Sequence, residues 1–236
     1  MTYIIADIHG CYQEYKELLD KINFSDEDEL YVLGDAMDRG PEPIRVIRDL
    51  MCRPNVTYIM GNHDAMMLNV LSKLSAEITE ESIMELTDDV FIAYHYWMQD
   101  GGKTTLEQFS KLSKEERKDI LDFLEFASPY ETMEHEGKLY ILVHAGIDHF
   151  DADKELDDYD TNDFLWKRTD YTKKLFPSSR IYLMTGHTPT RLIREDEQSL
   201  IYCENNHIAL DCGCVYGGAL AAYCIESGEA VYIAKK

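Results

Sequence analysis

Five short apolar runs in this chain each stop on a side chain able to ligate a metal ion. Residues 3–6 lead to Asp7 and His9, and 30–33 lead to Asp35. Residues 56–60 lead to Asn62 and His63, 139–143 to His144, and 181–185 to His187. A run of four to six apolar residues bounded by a turn-forming loop reads as a strand buried on both faces. Ligands of open α/β folds gather beyond the carboxyl ends of such strands. The chain is therefore constrained to a fold that brings these strand ends together.

What separates the runs supports that architecture. Tyr12, Tyr15, Leu18, Leu19 and Ile22 share one helical face after the first run. Pro41 and Pro43 open a second helix with Ile44, Val46, Ile47 and Leu50 apolar, and a third helix runs through Leu71. Strand, loop and helix repeated three times predict βαβ units and a sheet covered by helices. Residues 75 to about 128 read as mainly helical, with Ser113 and Glu116 forming a capping box. The tail reads as strands near 199–203, 207–210, 219–225 and 229–233, punctuated by Gly213, Gly217 and Gly218. No repeat or linker divides the chain. The expected fold is a single α/β domain over 1–236: a two- or three-layer sandwich of mixed β-sheets flanked by helices, with a helical insertion at about 75–128.

Charge narrows the functions available. The chain has 236 residues, with 45 acidic against 23 basic side chains and a net charge of −22. That field repels nucleic-acid backbones and anionic lipid surfaces, so neither is an expected partner. An anionic substrate would need local cations, metal ions or arginines, to reverse the field at its site. No apolar run approaches the roughly 18 residues of a membrane span, and the first residues lack the basic segment of a signal peptide. Six cysteines without a disulfide framework fit reduced thiols, and the expected location is the cytoplasm.

The donor set is Asp, His and Asn with no thiolate, which suits Mn, Fe or Zn in a hydrolytic site rather than a structural zinc site. The segments Asp7-Ile8-His9-Gly10, Gly34-Asp35-Ala36-Met37-Asp38-Arg39-Gly40 and Gly61-Asn62-His63-Asp64 resemble three metal-binding motifs. They are those of the phosphoprotein-phosphatase branch of the calcineurin-like metallophosphoesterases. Val143-His144-Ala145-Gly146 and Gly186-His187-Thr188-Pro189 resemble the later motifs, in order. Trp97 with Gly101-Gly102, and Trp166 with Arg168, resemble landmarks of bacterial and phage members.

The resemblance implies two divalent metal ions, Mn first and Fe or Zn next. One would take Asp7, His9 and Asp35; the other would take Asp35, Asn62, His144 and His187, with Asp35 bridging. A hydroxide held between ions about 3.5 Å apart would attack phosphorus, the metals having lowered its pKa. His63 would protonate the leaving oxygen, oriented by Asp38. Arg39 and Arg168 would clamp the phosphate oxygens with their planar forks of donors. The activity implied first is a bacterial-type Ser/Thr protein phosphatase, perhaps acting on Tyr as well, with a phosphorylated protein as substrate. The alternative is a dinucleoside polyphosphate hydrolase. Met60 speaks for the alternative, because protein phosphatases of the branch usually carry arginine before Gly-Asn-His.

Other residues invite plainer readings. His95, His135, His149 and His207 lack motif context and read as surface or core residues. Cys212-Gly213-Cys214 reads as small residues in a strand-rich tail, not a metal or redox site. The acidic stretch 148–163 lacks the spacing of an EF-hand and reads as a solvated loop at the site rim. Trp97 reads as an anchor for the insertion.

Overall fold

The computed structural model describes residues 1–75 and 87–236; the expected start of the helical insertion, 76–86, lies outside them. Two five-stranded sheets face each other. In the first, β1 (Thr2–Ile5), β2 (Glu29–Val32) and β3 (Val56–Tyr58) run parallel. The chain's last strands, β9 (Ala219–Cys224) and β10 (Ala230–Ala234), complete it antiparallel, giving the order β10-β9-β1-β2-β3. In the second sheet, β5 (Lys138–Val143), β6 (Ile181–Thr185) and β8 (His207–Ala209) are parallel. There β4 (Tyr130–His135) and β7 (Tyr202–Glu204) form the antiparallel edges.

Alternation along the strands explains why these runs are continuously apolar. In β1, Ile4 faces the second sheet and Ile5 faces the helices. In β5, Leu142 enters the inter-sheet core, and Ile141 and Val143 pack on the outer side. With both faces covered, no position is left for a polar residue. On the first sheet's outer face lie α1 (Tyr12–Lys21), α2 (Pro43–Met51) and α3 (Asn62–Leu74). The same core takes in α4 (Asp88–Gln99), α5 (Lys103–Phe109) and α6 (Lys114–Glu125). A short helix, α7 (Thr161–Leu165), covers the second sheet through Phe164. The capping box that opens α6 forms in both directions: Glu116 N–H donates to Ser113 Oγ, and Ser113 N–H donates to Glu116 Oε2.

The edge strand β4 escaped the sequence reading. Its residues, Tyr-Glu-Thr-Met-Glu-His, make no apolar run because its surroundings are half solvent. The readable signal was the turn after it. Glu136 and Gly137 both take positive φ, 49° and 73°, the two-residue turn that suits the twist of a hairpin. Asn205 and Asn206 do the same between β7 and β8, at φ 54° and 58°.

His207 behaves as a core residue. Its Nε2 lies 2.8 Å from Thr185 Oγ1, and the Tyr171 ring stacks on it at 4.7 Å. Burial lowers its pKa from 6.5 to about 4. Between those values the unfolded chain binds the proton more readily than the folded one, so stability is lost as pH falls through that window. Acidification from neutrality to pH 4 should cost up to about 3 kcal/mol through this residue. His207→Gln should flatten that part of the stability–pH curve in thermal melts; an unchanged slope would remove His207 as its cause.

Candidate active site

The parallel strands of both sheets end at the same rim of the sandwich, and there the predicted residues meet. Asp7 follows β1, Asp35 follows β2, Asn62 opens α3 after β3, His144 follows β5 and His187 follows β6. Asp7, Asp35, Asn62 and His144 are buried, as are His9, His63 and Asp38. Ligand atoms of Asp7, Asp35 and His144 lie within 4.8 Å of one another, and so do those of His9, Asp35 and His63. Asp35 belongs to both groups. Its Oδ2 stands 3.5 Å from His9 Nε2 and 3.5 Å from His144 Nε2.

The backbone is strained where these side chains leave it. Asp7, His9, Asp35, Asp38, Arg39 and His187 all have φ between 44° and 67°. Each such residue costs on the order of 1–3 kcal/mol and persists only where packing over-determines it. Glycines let the loops close in. A Cβ on Gly61 would sit 2.2 Å from Asp35 Oδ1, and one on Gly186 2.1 Å from Asp7 Oδ2. Asp64 ties the loops together. Its Oδ2 accepts from the N–H of Gly61 (3.0 Å) and Asp35 (2.9 Å) and from Tyr58 Oη (2.7 Å).

The electrostatics fit a cation site. Burial lowers the pKa of His9 and of His187 to about 3 and lowers that of His144, so all three rings stay neutral, as ligands must be. His144 Nδ1 donates to the Leu33 carbonyl at 2.7 Å, which leaves its Nε2 a lone pair. That lone pair faces Asn62 Oδ1 at 2.8 Å. Two acceptors in contact with no proton between them are relieved by a cation. Burial, then the carboxylates of Asp211 and Asp35, push Asp7 far above its usual range. Burial also acts on Asp35, but His144, His63 and His9 outweigh it and hold that carboxyl below its usual range. Clustered buried carboxylates of this kind are stabilised by bound positive charge.

His63 and Asp38 form a buried pair at 2.9 Å, Nδ1 to Oδ2. Asp38 is held from two further sides: Trp97 Nε1 donates to it at 2.7 Å and Thr105 Oγ1 at 2.6 Å. The helical insertion thus reaches the site. Trp97 is fully buried, and a Cβ on Gly102 would lie 2.5 Å from its ring. Burial tends to lower the His63 pKa, but Asp35 and the Asp38 hydrogen bond raise it overall. His63 Nε2 is buried without a hydrogen-bond partner. Asp100 Oδ2 is 3.4 Å away, too poorly aligned to serve.

Beyond these residues opens a cleft of about 470 Å³. Arg39 and Arg168 line it, together with Trp166, His187, Asp211 and Arg191. Arg39 donates to His9 Nε2 at 2.7 Å and pairs with Asp100 at 3.0 Å. The Tyr216 ring lies under two guanidiniums, Arg39 at 5.5 Å and Arg191 at 5.9 Å. Met60 is buried, its N–H on the Ser128 carbonyl, and does not line the cleft.

Sequence reasoning did not single out Asp211, Asp100, Arg191, Tyr216 or the holding role of Thr105. Asp211 had a signal: it follows the apolar run 207–210 just as the other donors follow theirs. Its carboxyl rises to about 6 through burial, and it accepts from Gly213 N–H at 2.8 Å. The acidic stretch 148–163 folds into a short 3-10 turn (Leu156–Asp158) and α7, which delivers Trp166 to the cleft. Cys212 and Cys214 are buried free thiols.

The fold is shared with solved phosphoesterases. A candidate diadenosine tetraphosphatase superposes with a TM-score of 0.68 at 19% identity, covering all of this chain and 93% of that one. Among sequence relatives, the asymmetrical bis(5′-nucleosyl)-tetraphosphatase PrpE of Geobacillus sp. (strain WCH70) is 29% identical over 93% of this chain and 88% of its own length. The symmetrical bis(5′-nucleosyl)-tetraphosphatase of Erwinia tasmaniensis is 40% identical over only 38% of this chain, and the match spans about a third (34%) of that relative. The family model described as calcineurin-like phosphoesterase matches residues 2–218, and the chain belongs to that family.

Proposed function

We propose that the chain hydrolyses dinucleoside tetraphosphates, cutting asymmetrically. The observation that carries this reading is that three arginines, Arg39, Arg168 and Arg191, line the cleft that holds the metal-ligand candidates. A phosphomonoester offers one phosphate to clamp, whereas a tetraphosphate carries negative charge along four. In a chain of net charge −22, three arginines lining one cleft, beside Asp35, Asp100 and Asp211, support a long anionic substrate there. The PrpE relatives, similar over nearly the whole chain, carry the asymmetrical name. This replaces the protein-phosphatase reading as the leading one.

Asp7, His9 and Asp35 would hold one divalent ion, and Asp35, Asn62, His144 and His187 the other. Asp211 adds negative charge behind them. Bound there, the pair supplies a nucleophile at neutral pH and neutralises phosphate oxygens, with Mn the expected metal. Arg39 would leave Asp100 for the substrate phosphate, and Arg168 would grip it as well. Arg191, braced on Tyr216, would meet phosphates farther along. His63 would donate from Nε2 to the leaving oxygen, its ring fixed by Asp38, Trp97 and Thr105.

Purified protein with Mn should convert diadenosine tetraphosphate to a nucleoside triphosphate and a monophosphate, resolved by anion-exchange chromatography. A chelator should abolish this and added Mn restore it. Two diphosphates as products would mean a symmetrical cut. Phosphopeptide turnover with an inert dinucleotide would overturn the proposal.

A further inference from the structure

Beside the arginine-lined cleft lies a second, shallower hollow of about 390 Å³. Met66 of α3, Tyr96 and Gln99 of α4, Asp100 and Trp166 line it. Asp100 and Trp166 line both, so the two hollows are continuous. Trp166 is 48% exposed and Tyr96 64% exposed, while Trp97 is fully buried. Neither exposed ring is placed where the core needs it. Each is carried to the rim by its own helix, α4 or the end of α7. Concave apolar surface beside convergent polar groups is how proteins receive small ligands.

The chemistry of the walls limits the occupant. Two aromatic faces and a thioether attract a flat, polarisable ring. The Gln99 carboxamide rests its Nε2 2.9 Å from His95 Nε2 and still has a second N–H and its carbonyl oxygen to present in one plane, the pair that matches a purine edge. The neighbouring cleft carries three arginines suited to phosphates. A flat ring with a polar edge, one subsite away from a phosphate chain, is a nucleotide. We infer that the Trp166–Tyr96 hollow binds a nucleobase of the substrate. Trp166 and Tyr96 act as stacking faces, and Gln99 as the group that reads the base edge. The occupant's identity rests on the dinucleoside tetraphosphate reading, but the binding can be measured without turnover.

Trp166 is the exposed member of the chain's two tryptophans, so ligand-dependent changes in tryptophan emission report on it. The probes are a methylene-bridged, non-hydrolysable ADP analogue and methylene diphosphonate, which has the phosphates without the base. The analogue should alter the emission and the diphosphonate should not. In calorimetry, Trp166→Ala and, separately, Tyr96→Ala should weaken the analogue roughly 5- to 150-fold relative to the diphosphonate. That range follows from stacking energies of about 1–3 kcal/mol per base. Equal emission changes with both probes, or equal weakening of both in the variants, would overturn the inference. So would a phosphotyrosine peptide that depends on Trp166 more than the ADP analogue does. Base-dependent binding without dinucleotide hydrolysis would sink the proposed reaction and keep the hollow. Dinucleotide hydrolysis with Trp166-independent binding would do the reverse.

Discussion

Asp35→Asn should lower turnover by roughly 10³-fold or more and strip the protein of part of its metal, because metal-ion stabilisation is worth several kcal/mol and each 1.4 kcal/mol is tenfold. Asp35 is the one carboxylate common to both ligand clusters, 3.5 Å from His9 on one side and from His144 on the other. Its Oδ1 also accepts the His63 backbone N–H at 3.0 Å, so it positions the helix that carries the proposed acid. An amide of the same shape keeps that hydrogen bond and loses the charge. Asp7→Asn should cost less, since Asp7 falls in only one cluster. Metal analysis of the purified variants, alongside turnover of diadenosine tetraphosphate, separates the cases. Wild-type metal content and rate in Asp35→Asn would rule out a bridging role.

His63→Asn should slow a phosphoserine peptide, where the protein turns one over, by roughly 10²–10⁴-fold, the usual worth of general acid assistance. The effect on diadenosine tetraphosphate should be far smaller. A serine alkoxide leaves only with a proton, whereas a nucleotide phosphate departs as a stable anion whose last proton has a pKa of about 6. Nitrophenyl phosphate should resemble the dinucleotide. The His63 pKa is raised, so the acid form persists above the ordinary 6.5 and is lost as pH climbs through the shifted value. Substrates that need the proton should therefore show a falling alkaline limb, absent in the variant. Metal content should stay at the wild-type level. Metal loss, or the same factor on all three substrates, would make His63 a ligand or a phosphate contact instead.

Much of this site was legible in the sequence for a local reason. A strand buried on both faces must be apolar throughout, so the polar residue that ends it stands out. Asp7, Asp35, Asn62, His144 and His187 were readable that way, and the parallel order of their strands brings the ends to one rim. The His63–Asp38 pair came instead from the resemblance of those loops to the family's motifs, each residue standing within one of them. Among the tail strands, β8 and β9 were visible for the same reason, and β4 was not, because its solvent-facing positions keep polar residues, Thr132 and Glu134.

What only the tertiary structure decided depends on residues far apart in the chain. Thr105 and Trp97 hold Asp38 across 67 and 59 positions, and no periodicity links them. Asp100 reaches Arg39 from the turn after α4, within the insertion, 61 positions away. Arg191, on a 3-10 turn after β6, and Arg39 come together over the Tyr216 ring, at 5.9 and 5.5 Å from its centroid. Sequence alone thus determined which residues end the strands and which chemistry their donors suit. The shape of the cleft beyond them required the packing of the insertion, α7 and the tail against one another. Side chains converging from separate elements leave no local pattern in the sequence.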